Sequence, residues 1–312
     1  MFKKAWQMIE ESDNIVLASH KNPDGDAIGS CLGLYPILKR AGKKVTVFNV
    51  TKELPPKFDF LPNFSKIKSD FPKKCDLLIA FDCGSFERLG IEREDYKVLN
   101  IDHHKSNTNF GDINIVDPLA PSSSSVIFTL LKKNGIKVDK DSATCFYTAL
   151  VEDTGFFSYE SVNKSVFDIA SLMVEAGADP FFVAKNIKER NSLAKLRLTA
   201  LFIDSLHLYK NATIACGYVT QEMFEKTGAL RSDAEYLCNL ARSLVTVELS
   251  ILYIEEKNGK IKVSLRSKNF IDVSKIAIKF GGGGHKRSAG FETDEKDLYA
   301  LTKKIIKASG IL

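Results

Sequence analysis

The sequence lacks the features that would send it into a membrane or brace it with cross-links. No apolar run approaches the roughly 20 residues of a membrane-spanning helix. Residues 1–6 lack the apolar core of an export signal. A cytoplasmic protein with no membrane partner is therefore expected. Six cysteines, at 31, 75, 83, 145, 216 and 238, include no close pair such as C-x-x-C. That disfavours a disulfide framework or a structural zinc knuckle and fits a reducing compartment. Histidine is scarce, with five in the chain, and proline is absent beyond Pro180.

What remains is ordinary globular material. The 312 residues are 44% hydrophobic and 27% charged, enough chain for two cores. The net charge of +5 is uneven: residues 1–194 hold 25 Lys and Arg against 26 Asp and Glu, and residues 195–312 hold 19 against 13. Charge and proline content both change near the charged segment 188–197. The expected organisation is a domain over 1–187, a helical linker over 188–200 and a smaller domain over 201–312. A mildly basic second half suits an anionic partner, and solvated surface lysines account for part of the excess.

The most informative stretch is His20-Lys21-Asn22-Pro23-Asp24-Gly25-Asp26. The apolar run Ile15-Val16-Leu17-Ala18 leads into it, and Ile28, Leu32, Leu34 and Leu38 follow at helical spacing. The pattern predicts a buried strand, a tight turn and a helix, with Pro36 kinking or shortening that helix. One imidazole and two carboxylates on a single turn call for a cation. Imidazole with carboxylate suits Mn²⁺, Fe²⁺ or Zn²⁺ better than Ca²⁺. Asn-Pro-Asp-Gly is equally an ordinary turn.

The pattern recurs along the chain. Residues 44–50 read as a strand and 55–72 as proline-rich loop. Leu77-Leu78-Ile79-Ala80-Phe81 ends in Asp82-Cys83-Gly84, and Val98-Leu99-Asn100-Ile101 ends in Asp102-His103-His104. Near-continuous apolar strands alternating with helices predict an α/β parallel sheet with helices on both faces. Ser122-Ser123-Ser124-Ser125 reads as a helix cap, and a helix start can also hold a phosphate. A helix over 141–151 runs into Glu152-Asp153-Thr154-Gly155. In the second half, strands are expected at 212–219, 247–254 and 260–266, with helices near 231–244 and 295–308. Phe280 precedes four glycines and His285-Lys286-Arg287, and the four glycines open the backbone to an anion.

Four histidines fall inside these motifs, and His207 reads as structural. Together the motifs resemble the DHH phosphoesterase superfamily, and within it the bacterial group of nanoRNases and 3′-phosphoadenosine-5′-phosphate phosphatases. H-x-N-P-D-G-D-A, D-C-G, D-H-H, E-D-T-G-F-F, and Arg266-Ser267 followed by G-G-G-G-H-x-x-x-A-G stand in the family's order without substitution. The resemblance spans nearly the whole chain. It implies two Mn²⁺ ions, one held by His20, Asp24 and Asp82, the other by Asp26, Asp82, His103 and Asp153, with Asp82 bridging. Asp102 would orient the His103 ring, and His104 would meet the substrate phosphate. Arg266, Gly282, Gly283, Gly284 and His285 would grip a terminal phosphate or base in a clamp with the first domain.

The implied reaction is two-metal activation of a bridging water against a phosphoester. Expected substrates are short RNA oligonucleotides, released as 5′-mononucleotides, and 3′-phosphoadenosine 5′-phosphate. The alternative is a cyclic di-AMP or linear dinucleotide phosphodiesterase, and a third reading is a non-catalytic nucleotide-binding module. Cys83 has no cationic partner in sequence, which disfavours a covalent cysteine route. The apolar helices around 163–188 leave a homodimer open.

Overall fold

The computed structural model describes residues 1–160 and 162–311. They form two compact units, Met1–Arg190 and Asn191–Leu312. The first holds strands β1 (Asn14–Ser19), β2 (Lys44–Phe48), β3 (Ile67–Lys68), β4 (Leu77–Phe81), β5 (Lys97–Asp102) and β6 (Ile113–Val116). Its helices are α1 (Phe2–Glu10), α2 (Gly25–Arg40), α3 (Ser123–Lys133), α4 (Lys140–Asp153), α5 (Lys164–Glu175) and α6 (Pro180–Lys188). The sheet order is β3-β2-β1-β4-β5-β6 with every pairing parallel. The order reverses between β1 and β4, and ligands of open α/β sheets bind at the carboxyl ends of strands beside such a reversal.

Strand periodicity explains the continuous apolar runs. Ile15, Leu17, Leu77, Ile79 and Phe81 join one core with the helices. Val16, Ala18, Leu78 and Ala80 face the opposite side. The helices divide unevenly between the two faces. Among the described residues, those of α1–α6 that join a core lie with the first set. The second face is covered by the 3₁₀ helix Phe86–Leu89, which buries Leu89 there, and by aromatics: Phe71 packs edge-on to Phe48 at 5.2 Å, and Phe86 to Phe110 at 5.8 Å.

α2 and α4 approach very closely because Gly25, Gly29 and Gly33 form a stripe at four-residue spacing. A Cβ on Gly29 would sit 2.5 Å from the Cys145 carbonyl, and one on Gly33 2.3 Å from the Phe146 ring. This contact brings Asp26 at the start of α2 beside Asp153 at the end of α4. Pro36 neither ends α2 nor shortens it, and the helix continues to Arg40. Its missing N–H costs one hydrogen bond in the last turns, offset by burial of Leu34, Ile37 and Leu38.

The second unit holds α7 (Leu193–Asp204), β7 (His207–Tyr209), β8 (Ile214–Val219), α8 (Gln221–Thr227), α9 (Leu237–Arg242), β9 (Leu249–Glu255), β10 (Ile261–Ser267), α10 (Val273–Lys279), β11 (Gly283–His285), β12 (Ser288–Thr293) and α11 (Leu298–Ser309). Its sheet order is β11-β12-β10-β9-β8-β7, antiparallel except for the β8–β9 pair. α10 and α11 pack on one face, α7 and α9 on the other. The segment expected as a linker splits instead. α7 begins within it and buries Leu198 and Phe202 in the second unit's core. Within the glycine run, Gly283–His285 forms the edge strand β11. A Cβ on Gly282 would meet the Gly290 carbonyl at 2.2 Å, so close backbone approach demands the glycine. Among the described residues no helix is long and apolar enough to cross a membrane.

Candidate metal centre

β1, β4 and β5 are neighbours, and their carboxyl ends deliver His20, Asp82 and Asp102-His103-His104 to one place. The His20 ring meets the Lys21 carbonyl through Nδ1 at 2.9 Å. That contact turns Nε2 towards Asp82 Oδ2 at 3.5 Å and Asp24 Oδ1 at 4.0 Å. Asp82 follows β4 with φ of +52°, a left-handed conformation that short polar side chains tolerate. Its other oxygen, Oδ1, lies 3.6 Å from His103 Nε2 and 3.4 Å from His104 Nδ1. The same oxygen accepts the Ser123 hydroxyl at 3.1 Å. Burial opposes ionisation of Asp82, but His20 and the two other imidazoles outweigh it and hold the carboxyl at about 2.

Asp24 caps α2, accepting from Ala27 N at 3.1 Å. Asp26 is 1% exposed. It accepts from the backbone N–H groups of Ser123 at 2.6 Å and Ser124 at 3.0 Å, at the start of α3. Helix starts favour negative charge, yet burial and then the Asp82, Asp153 and Asp24 carboxylates push the Asp26 pKa well up. The serine run therefore does two jobs. Ser122 caps its own helix, with Ser125 N at 3.2 Å, and Ser123 and Ser124 hold a protein carboxylate.

Asp102 is fully buried and accepts from His103 N at 2.7 Å, His104 N at 3.2 Å and Asn107 Nδ2 at 2.5 Å. It also meets His104 Nδ1 at 2.8 Å. This corrects the role expected for it: Asp102 orients the His104 ring, and the His103 ring is held by the Ala120 carbonyl at 3.2 Å. The Asp102 hydrogen bond raises His104 to about 9 against the opposing effect of burial. His103 Nε2 lies 3.2 Å from Asp153 Oδ2. Burial, reinforced by the Asp82 and Asp24 carboxylates, carries Asp153 up to about 7 despite His103.

Three overlapping donor groups result: His20, Asp24 and Asp82; Asp26, His103 and Asp153; and Asp82, Asp102, His103 and His104, the donor atoms of each lying within 4.8 Å of one another. Asp82 turns Oδ2 to His20 and Oδ1 to His103 and His104. Among the described residues no lysine or arginine pairs with Asp24, Asp26, Asp82, Asp102 or Asp153, whose cationic neighbours are imidazoles. Crowding buried carboxylates such as Asp26 and Asp82 is costly without further positive charge. Mixed imidazole and carboxylate donors are the chemistry of a divalent metal centre, so the residues present fit one. Cys83 adds no nucleophile. It is buried, its thiol donates to the Ser85 carbonyl at 3.1 Å, and burial pushes its pKa to about 12.

In the second unit, register brings distant motifs together. Arg266 on β10 pairs with Ser288 on β12, and Ser288 pairs with His285 on β11. The three occupy one cross-strand row, whose members share a face of the sheet. Gly283 and Gly284 precede His285 on β11, and Gly282 enters it.

Comparison with known proteins agrees with both halves. The profile of the DHH family, N-terminal domain, matches residues 14–150, and that of the DHHA1 domain matches 216–309. A Thermus thermophilus protein named bifunctional oligoribonuclease and PAP phosphatase NrnA is 30% identical over 298 residues, which are 94% of this chain and 88% of that protein. The chain belongs to the DHH family. A solved structure of an exopolyphosphatase-related protein from Bacteroides fragilis shares 27% identity with this family member, covering 99% of this chain and 96% of that one, with a TM-score of 0.92. A Listeria monocytogenes relative named cyclic-di-AMP phosphodiesterase PdeA is 25% identical over 97% of this chain and 48% of its own length. The activities named for the Thermus and Listeria relatives are all hydrolyses of phosphoester bonds.

Sequence reasoning missed three contributors. Ser123 was visible only as part of a serine run, and nothing marked its hydroxyl for Asp82. Asn107, which ties Asp102 to the Cys83 carbonyl at 3.1 Å, had no signal. The Gly25, Gly29 and Gly33 spacing was legible as a helix face built for close packing.

Proposed function

We propose that this chain hydrolyses very short oligoribonucleotides to 5′-mononucleotides and removes the 3′-phosphate from 3′-phosphoadenosine 5′-phosphate. The observation that carries the reading is Asp82, whose two oxygens face two separate donor groups. In this reading His20, Asp24 and Asp82 hold one Mn²⁺, and Asp26, Asp82, His103 and Asp153 hold the second. Such ions supply Lewis acidity, giving a nucleophile at neutral pH and positive charge opposite the phosphoryl oxygens.

The chain's own residues do the rest. Ser123 and the start of α3 hold Asp82 and Asp26 in place. His104, kept protonated at neutral pH by Asp102, donates to a phosphoryl oxygen of the substrate. Arg266 offers a two-pronged donor to a terminal phosphate, and His285 and the backbone of residues 282–284 complete that grip. Two copies pairing through α5 and α6, where Phe167 and Phe181 are exposed, and a cytoplasmic substrate pool belong to the same reading; sedimentation and fractionation check them.

A second reading, cyclic dinucleotide hydrolysis, uses the same metal residues and is favoured by the Listeria relative. Product analysis with Mn²⁺ on pApA, 3′-phosphoadenosine 5′-phosphate, cyclic di-AMP and a long RNA separates the two. Cleavage of the first two with cyclic di-AMP untouched is expected. Fast opening of cyclic di-AMP would replace the first reading by the second, and binding without turnover of any substrate would reduce the protein to a nucleotide-binding module.

A further inference from the structure

Strand β5 carries a polar residue, Asn100, between the apolar Leu99 and Ile101. Asn100 is fully buried, and a buried amide has to find partners for its donors and its acceptor. The parallel register sets it opposite Asn114 on β6, whose Oδ1 accepts from Asn100 Nδ2 at 3.0 Å. The same nitrogen donates to Asn107 Oδ1 at 2.9 Å. Asn107 lies on the loop that follows Asp102-His103-His104. Its Oδ1 also accepts from Asn109 N at 2.7 Å. Its Nδ2 donates to the Cys83 carbonyl at 3.1 Å and to Asp102 Oδ2 at 2.5 Å. Both ends of this one amide are therefore occupied. Asp102 in turn divides its oxygens: Oδ2 accepts from Asn107, and Oδ1 meets His103 N, His104 N and His104 Nδ1.

We infer that Asn107 is a positioning residue: it fixes the plane of the Asp102 carboxylate and, through it, the direction in which the His104 ring faces the substrate phosphate. The inference rests on the phosphoester reading above, in which His104 is the donor. The torsion that turns a carboxylate has broad minima, and the His104 ring follows the oxygen it meets. Two anchors hold the amide against that rotation. The Cys83 carbonyl fixes it to the end of β4, and Asn100 fixes it to β5 and β6. Thr108 N also donates to the Gly84 carbonyl at 2.9 Å, which pins the neighbouring backbone to the same strand end. Without the amide, Oδ2 is a buried charged oxygen that has lost a donor. The carboxylate would then turn towards another donor and carry Oδ1 away from His104. The Asn107 side chain bonds Asp102 and none of the six residues read as metal ligands, so its effect falls on the ring rather than on metal affinity.

A double-mutant cycle separates this role from a general structural one. Asn107→Ala is expected to lower kcat/KM for pApA about 10-fold, the effect of losing a hydrogen bond to a charged group, with Mn²⁺ affinity unchanged by titration calorimetry. In a His104→Ala background the same substitution should change kcat/KM by no more than about 2-fold, because the ring it directs is gone. A second readout needs no turnover. In nitrogen-labelled, chelated protein the His104 Nδ1 proton held by Asp102 gives a downfield resonance, which Asn107→Ala should broaden or shift. Asn107→Asp keeps the accepting half of the amide and loses the donating half, so it should reproduce both effects if Asn107→Ala does not fold. Equal losses in the two backgrounds, weakened Mn²⁺ binding, unchanged activity or an unmoved His104 resonance each overturn the inference alone. A wild type that cleaves no phosphoester overturns the phosphoester reading and, with it, the role of the ring.

Discussion

Asp153→Asn separates the burden of crowded acids from their use. In the folded, metal-free protein burial carries the Asp153 carboxyl from 3.8 up to about 7, with Asp82 and Asp24 adding to the shift. Between those values the folded state holds a proton that the unfolded chain has lost, so stability falls as pH rises from about 4 to about 7. At about 1.4 kcal/mol per unit, and discounted because the side chain is 31% exposed, the loss is on the order of 3 kcal/mol. Asparagine has no charge to acquire, and its amide can still meet His103. The chelated variant should therefore melt roughly 5 °C above chelated wild type at pH 8, and the two should coincide near pH 4. Mn²⁺ should raise the wild-type midpoint strongly and the variant's hardly at all. Differential scanning calorimetry with and without chelator reads all of these values. A variant that melts below wild type at pH 8 without metal would refute the claim that these carboxylates repel.

Three further outcomes follow from the same geometry. Ser123→Ala removes the hydroxyl 3.1 Å from Asp82 and should weaken metal binding by about 10- to 100-fold with the fold intact; titration calorimetry showing unchanged affinity would deny Ser123 its role. Gly29→Ala places a methyl 2.5 Å from the Cys145 carbonyl and should cost about 1–3 kcal/mol while lowering turnover, because α4 carries Asp153; full activity in a destabilised variant would uncouple the helix contact from the site. Arg266→Ala should raise KM and leave bound metal unchanged by mass spectrometry of the ions, and loss of metal would place Arg266 in the metal centre instead.

Most of the candidate metal site is legible in the sequence. Apolar runs ending abruptly in His20, Asp82 and Asp102-His103-His104 mark strand ends, because a buried strand cannot carry such groups in its middle. His20, Asp24 and Asp82 gather donor atoms within 4.8 Å, as do Asp26, His103 and Asp153, and a third such set, Asp82, Asp102, His103 and His104, overlaps them. The hydrogen bonds that support them were not legible. Which ring Asp102 holds depends on where β5 leaves the sheet, and local sequence permits either His103 or His104. That one face of the first sheet is shielded by Phe71, Phe110 and the short 3₁₀ helix Phe86–Leu89 rather than by long α-helices depends on where the connecting segments fold back, which their composition does not specify.

The sequence by itself determined the alternation of strands and helices, the residues able to bind a metal and the order in which they arrive, because hydrophobic periodicity and side-chain chemistry are local. Tertiary structure alone decided the rest. The contact of Gly25, Gly29 and Gly33 with α4 sets Asp26 beside Asp153, and the register of β10, β12 and β11 turns Arg266, Ser288 and His285 into one row. Each depends on which backbone atoms meet after the chain has packed, and no short stretch of sequence contains both partners.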